Sequence, residues 1–135
     1  MNNNGLMYNQ STIQQIDIKF DMSEIIEYTE NNYSDFEWYE GLAVIRFYAN
    51  WCAPCVQNFP VFAELATYYA EVKPEIKFGK INVDQSPILT LRYNAYGLPS
   101  TLIFRNGEII KRIAGVKSLT EMKVILAQVL SNFAE

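Results

Sequence analysis

Residues 42–55 run Leu42-Ala43-Val44-Ile45-Arg46-Phe47-Tyr48-Ala49-Asn50-Trp51-Cys52-Ala53-Pro54-Cys55. The first eight are apolar or aromatic except for Arg46, which fits a strand buried on both faces. That strand delivers the chain directly into Trp51-Cys52. From Cys55 onward, Phe59, Phe62, Ala63, Leu65, Ala66 and Tyr69 recur at helical spacing, and Pro60 inside the pattern is expected to kink the helix. The two cysteines therefore lie where a buried strand ends and a helix begins.

Outward from that junction, strand and helix patterns alternate. Ile76 to Val83 reads as a second strand, and Ser86-Pro87 as an N-cap with proline opening a short helix through Tyr93. This alternation implies a βαβ unit with a parallel strand pair. Ser100 to Phe104 and Glu108 to Ala114 flank Arg105-Asn106-Gly107, a strong hairpin signal. Ser118 with Glu121 makes a capping box, followed by a stripe of Leu119, Met122, Ile125, Leu126, Val129, Leu130 and Phe133. Toward the N-terminus, Thr29 is expected to cap a helix through Phe36 and Trp38 that stops at Gly41. Alternation of Ile16, Ile18, Phe20 and Met22 suits a half-buried strand, with a helix over Met22 to Tyr28 as the rival. Residues 1–22 read as an N-terminal extension, an extra strand or a disordered tail rich in Asn and Gln, and residues 23–135 as one domain.

Composition narrows the chemistry. In 135 residues, 11 basic and 15 acidic side chains give a formal charge of -4, with no acidic block. Nucleic acid and anionic membranes are disfavoured as partners. No run approaches a membrane span, and Met1 to Gln10 lack a cationic start followed by an apolar stretch, so a cytoplasmic protein is expected. The absence of histidine removes the usual general base and every Cys-His or Ser-His dyad. Zinc needs about four ligands, and two cysteines with no histidine supply too few, so no metal is expected. A loop closed by Cys52 and Cys55 is too short to staple a domain of this size. Their purpose is read as chemical. Backbone N–H groups at a helix start favour a Cys52 thiolate, and Cys55, a turn inward, is placed to attack a mixed disulfide formed at Cys52.

Trp51-Cys52-Ala53-Pro54-Cys55 resembles the thioredoxin active site Trp-Cys-Gly-Pro-Cys, with Ala53 in place of glycine. Phe47-Tyr48-Ala49 is similar to the family's Phe-Trp-Ala, Pro60 to its helix proline, and Lys80-Ile81-Asn82-Val83-Asp84-Gln85 to its third strand. Tyr96-Gly97-Leu98-Pro99-Ser100-Thr101 resembles its cis-proline loop, and Asn106-Gly107 and Gly115 fall at matching places. The resemblance spans about residues 24–134. It implies an α/β thioredoxin fold, a central mixed sheet with helices on both faces. By itself Leu98-Pro99 reads as an ordinary trans bond, whereas the resemblance implies cis. It further implies a protein-disulfide reductase with Cys52 as nucleophile, Cys55 as resolving thiol, and Ala53 and Pro54 as active-site support. Trp51, Leu98, Pro99, Ala114 and Gly115 would bind substrate. No cofactor is expected on the chain. Electrons would come from a thioredoxin reductase-like donor using NADPH and pass to disulfide-containing proteins, with the chain acting as a monomer.

One departure bears on the chemistry. The family places a buried aspartate, active in proton transfer to the second cysteine, six residues before the first; Arg46 stands there. Arg46 cannot act as a base, and near the sulfurs it would stabilise a thiolate. Lys80 matches the family's lysine partner of that aspartate, so two cations share one region unless one reaches solvent or Asp84 or a glutamate compensates. Arg46 near the sulfurs implies a more oxidising, isomerase- or oxidase-like protein; Arg46 pointing away implies no effect. A redox-regulated peptide-binding module is a third reading. Tyr48, Tyr68, Tyr69 and Phe133 are read as packing residues.

Overall fold

The computed structural model describes residues 25–133. The alternation over Ile16 to Met22, and the extension to which it belongs, lie outside them. Five strands form one mixed sheet in the order β1-β3-β2-β4-β5: β1 Ile25–Glu27, β2 Leu42–Tyr48, β3 Lys77–Asn82, β4 Ser100–Arg105 and β5 Glu108–Ala114. β1 and β2 run parallel to β3, whereas β4 is antiparallel to β2 and β5 to β4. Among the described residues there are four helices: α1 Ser34–Glu37, α2 Ala53–Val72, α3 Pro87–Arg92 and α4 Leu119–Phe133.

The period of two along β2 sorts its side chains onto two cores. Val44 packs with Phe62, Leu65, Phe78, Ile103 and Leu126, beneath α2 and α4. Ala43, Ile45 and Phe47 pack with Phe36, Ile81, Leu89, Leu102 and Phe104, beneath α1 and α3. A run buried on both faces explains why this strand reads as continuously apolar. By the same alternation Arg46 belongs to the α2 face, beneath the helix that carries Cys55.

The Asn-Gly hairpin forms as expected, with Asn106 and Gly107 at φ of 53° and 84°, the left-handed pair a tight two-residue turn requires. A Cβ on Gly107 would also strike the Glu37 carbonyl oxygen. The capping box closes too. Ser118 N donates to Glu121 Oε1 at 2.8 Å, and Glu121 N donates to Ser118 Oγ at 3.1 Å.

Three expectations are corrected. Residues 25–27 form a strand, because their amides pair with β3, so the helix over Met22 to Tyr28 is not formed there. The helix expected from Thr29 to Gly41 is four residues long, Ser34–Glu37. Thr29 instead closes a turn in which its N–H donates to Asn32 Oδ1 at 2.7 Å and Asn31 N donates to its hydroxyl at 3.1 Å. Asn and Thr side chains compete with the helix for backbone partners, and here they win. Ser86 occupies the N-cap position of α3, but its buried hydroxyl makes no capping bond. Pro87 within the first turn carries that helix start.

Candidate active site

β2 ends at Tyr48, and the chain crosses Ala49 to Trp51 before α2 begins at Ala53. Cys52 is the N-cap residue, extended at φ -86° and ψ 102°. Its Sγ accepts the Cys55 N–H at 3.2 Å, and its carbonyl accepts the Val56 N–H at 3.1 Å. Cys52 and Cys55 form a disulfide across this first turn. Cys55 is 1 % exposed and Cys52 6 %, while Trp51, Ala53 and Pro54 stand in solvent. No acidic side chain lies in the first turn of α2. When the pair is reduced, the N–H group and the positive end of the helix dipole favour negative charge on Cys52.

A groove of about 510 Å³ opens beside Cys52, between Trp51, Ala53 and Pro54 on one wall and Val83, Thr90, Ala95, Tyr96 and Leu98 on the other. The Leu98-Pro99 bond is cis. The Pro99 carbonyl accepts Gly115 N–H at 2.9 Å, and Ser100 pairs with Ala114 in the ladder, so the Leu98-Pro99 and Ala114-Gly115 loops lie side by side. Trp51 is 70 % exposed, and its indole Nε1–H donates to Asp84 Oδ2 at 2.8 Å. Asp84 thus holds the Trp51 ring and does not compensate the cations. The groove residues Thr90 and Ala95 were not singled out in the sequence, because they come from α3 and the turn after it, and Tyr96 was quoted only as part of the cis-proline loop, with no groove role.

Behind Cys55 the sheet carries a row of charge. Glu27 of β1, Lys80 of β3 and Arg46 of β2 are register partners on neighbouring strands. Arg46 is 2 % exposed and does not point away: its Nη2 donates to the Cys55 carbonyl at 2.9 Å. The guanidinium also lies 5.7 Å and 5.9 Å from the ring centres of Phe59 and Phe62. Burial lowers its pKa to about 10, so it remains a cation at neutral pH. Lys80 pairs with Glu27 Oε1 at 3.8 Å. Tyr48 hydroxyl donates to the same oxygen at 2.8 Å. A glutamate from the first strand is therefore the compensating anion.

A strand-end disulfide at a helix start, beside an open groove and a cis-proline loop, defines a class of protein, the thiol–disulfide oxidoreductases. Comparison with known proteins narrows the class. The family model described as Thioredoxin matches residues 24–128, and this chain belongs to the thioredoxin family. It is 30 % identical over 106 residues to a thioredoxin of Buchnera aphidicola subsp. Schizaphis graminum, covering 78 % of this chain and 95 % of that one. It is 33 % identical over 93 residues to chloroplastic thioredoxin M5 of Oryza sativa, covering 69 % of this chain and 52 % of the relative. A mutant thioredoxin from Halobacterium salinarum NRC-1 shares the fold at TM-score 0.68 and 24 % identity, over 78 % of this chain and 89 % of that one.

Proposed function

We propose that the chain reduces protein disulfides, with Cys52 as attacking thiolate and Cys55 as resolving thiol. The supporting observation is the position of Cys52 Sγ, which accepts the Cys55 N–H at the start of α2 and borders the groove between Trp51 and Leu98. An extended substrate segment would lie in that groove against Leu98, Pro99 and Ala114-Gly115. Cys52 thiolate attacks one sulfur of the substrate disulfide and releases the other as a thiol. Cys55 then attacks Cys52 Sγ, releasing the second substrate thiol and restoring the Cys52–Cys55 bond. Two electrons pass from the dithiol to the substrate. A reductase-type donor using NADPH would reset the pair, and the chain itself would work in the cytoplasm as a cofactor-free monomer.

A second reading is favoured by Arg46. A buried guanidinium bonded to the Cys55 carbonyl favours thiolate over disulfide and makes the couple more oxidising. Disulfide turnover with a dithiol donor tests the general function: Cys52→Ser abolishes it, and Cys55→Ser traps a mixed disulfide. Loss of neither activity nor resolution in these variants would remove the proposal. Equilibration with glutathione buffers then separates the two readings. A potential near about -270 mV indicates a reductase, and one near about -200 mV or above an isomerase- or oxidase-like protein.

A further inference from the structure

We propose that Glu27 receives the proton that Cys55 must lose to resolve a mixed disulfide, with the Tyr48 hydroxyl passing that proton to it. The inference rests on the thiol–disulfide exchange assigned above. Only a thiolate attacks a disulfide, and a thiol ordinarily ionises near about 8.5. Cys55 is almost wholly buried, so its proton needs a local acceptor.

A cavity of about 220 Å³ lies behind Cys55, walled in part by Arg46, Tyr48, Asn50, Phe59 and Lys80. Arg46, with its pKa at about 10, stays a cation at neutral pH and offers no base, and the Lys80 ammonium group is ion-paired with Glu27. Burial, with the bond to Glu27 second, pushes the Tyr48 phenol up to about 12, so it passes a proton on without keeping its charge. The acceptor at the end of that path is the carboxylate. Glu27 Oε1 takes the Tyr48 hydroxyl bond at 2.8 Å, and Glu27 Oε2 is buried with no hydrogen-bond partner among the described residues. A carboxyl oxygen in that position has a free lone pair for an incoming proton.

The groups facing this path are Lys80 from β3, 3.8 Å from Glu27, Asn82 from the same strand, whose side chain hydrogen-bonds Tyr48, and Arg46 and Tyr48 from β2. Asn32 donates only to the Glu27 main-chain carbonyl. In the step itself, the Cys55 S–H proton enters the cavity and is taken up by Tyr48 oxygen as the Tyr48 O–H proton moves to Glu27. The Cys55 thiolate attacks Cys52 Sγ, the new S–S bond forms, and the substrate sulfur leaves with the electron pair of the broken bond. The proton on Glu27 returns by the same route when the pair is next reduced.

Reaction of the reduced full chain with dithiobis(nitrobenzoate) isolates this step. Attack by Cys52 releases one coloured thionitrobenzoate, and attack by Cys55 releases the second, which needs no protonation to leave. The expected result is that Glu27→Gln slows the second release relative to the first by about a hundredfold at pH 7, the lower end of general-base catalysis. Its pH profile should also move to higher pH. Tyr48→Phe should do the same with no change of charge. If Glu27 only offsets Lys80 and Arg46, Glu27→Gln leaves more positive charge near Cys55 and moves the profile to lower pH; that shift, or an unchanged profile, overturns the proposal. Should Glu27→Gln fail to fold by circular dichroism, an unchanged second release in Tyr48→Phe overturns it alone. A wild-type chain that gives no second release has no resolving step, and then the assigned function falls as well.

Discussion

At position 46 a guanidinium replaces the carboxylate that the family resemblance led one to expect, and it lies 2.9 Å from the Cys55 carbonyl. Both outcomes for Arg46 were open in the sequence, because strand alternation gives the face a residue occupies and not the reach of a long side chain. The cysteines, Trp51 and Pro99 were legible because short spacing carries them. Glu27 was not, since it comes from the far side of β3 and nothing local marks it. Arg46→Met keeps the stem over Phe59 and Phe62 and removes the charge. The reduction potential is expected to become more negative, by about 30 mV for every ~1.4 kcal/mol of lost thiolate stabilisation. An unchanged potential in glutathione buffers would leave Arg46 a packing residue.

Elements follow their local signals where those signals are regular. β2, α2, the hairpin and α4 were legible from period, turn residues and capping box. The region from Thr29 to Gly41 was not, because its aromatic residues are spaced by what they reach. Phe36 is fully buried against Tyr28, Phe104 and Tyr93, with ring centres 4.8, 5.0 and 6.0 Å away. Tyr68 is 42 % exposed and Phe133 37 %, each under a cation, so these two rings are surface contacts as much as core. Gly79, in the middle of β3, is a strand glycine with a packing reason: a Cβ there would run into the Tyr28 ring. Gly79→Ala should therefore destabilise the fold by about 1–3 kcal/mol, the usual range for overpacking, read as a lower urea midpoint at unchanged slope. A midpoint equal to wild type would show that Tyr28 moves aside freely.

For the molecule as a whole, buried phenols set the alkaline limit. Burial is the largest cause of the raised values of Tyr28, Tyr48, Tyr69 and Tyr93, each above the ordinary 10.0. Above pH 10 the folded chain keeps protons that the unfolded chain loses, so stability falls as pH rises through that range. Arg46 acts in the opposite sense, since its folded value of about 10 lies below the ordinary 12.5 and alkali relieves its buried charge. Four phenols outweigh one guanidinium. The urea midpoint is expected to decline above about pH 10, and a rising midpoint there would reverse that balance.

β1 has another effect on the whole. It holds three residues and, among the described residues, pairs with β3 alone, its alignment continued by one bond from Tyr28 N–H to the Lys80 carbonyl at 2.8 Å. Local openings of short sheet elements cost less than global unfolding, and β1 is held by its ladder to β3 and by buried Ile25 and Tyr28. An opening of β1 would carry Glu27 away from Tyr48 and Lys80. Under the proton route proposed above, the acid–base state of a sulfur buried under α2 would be tied to amide exchange at β1, and whatever steadies that strand would steady the chemistry at Cys55.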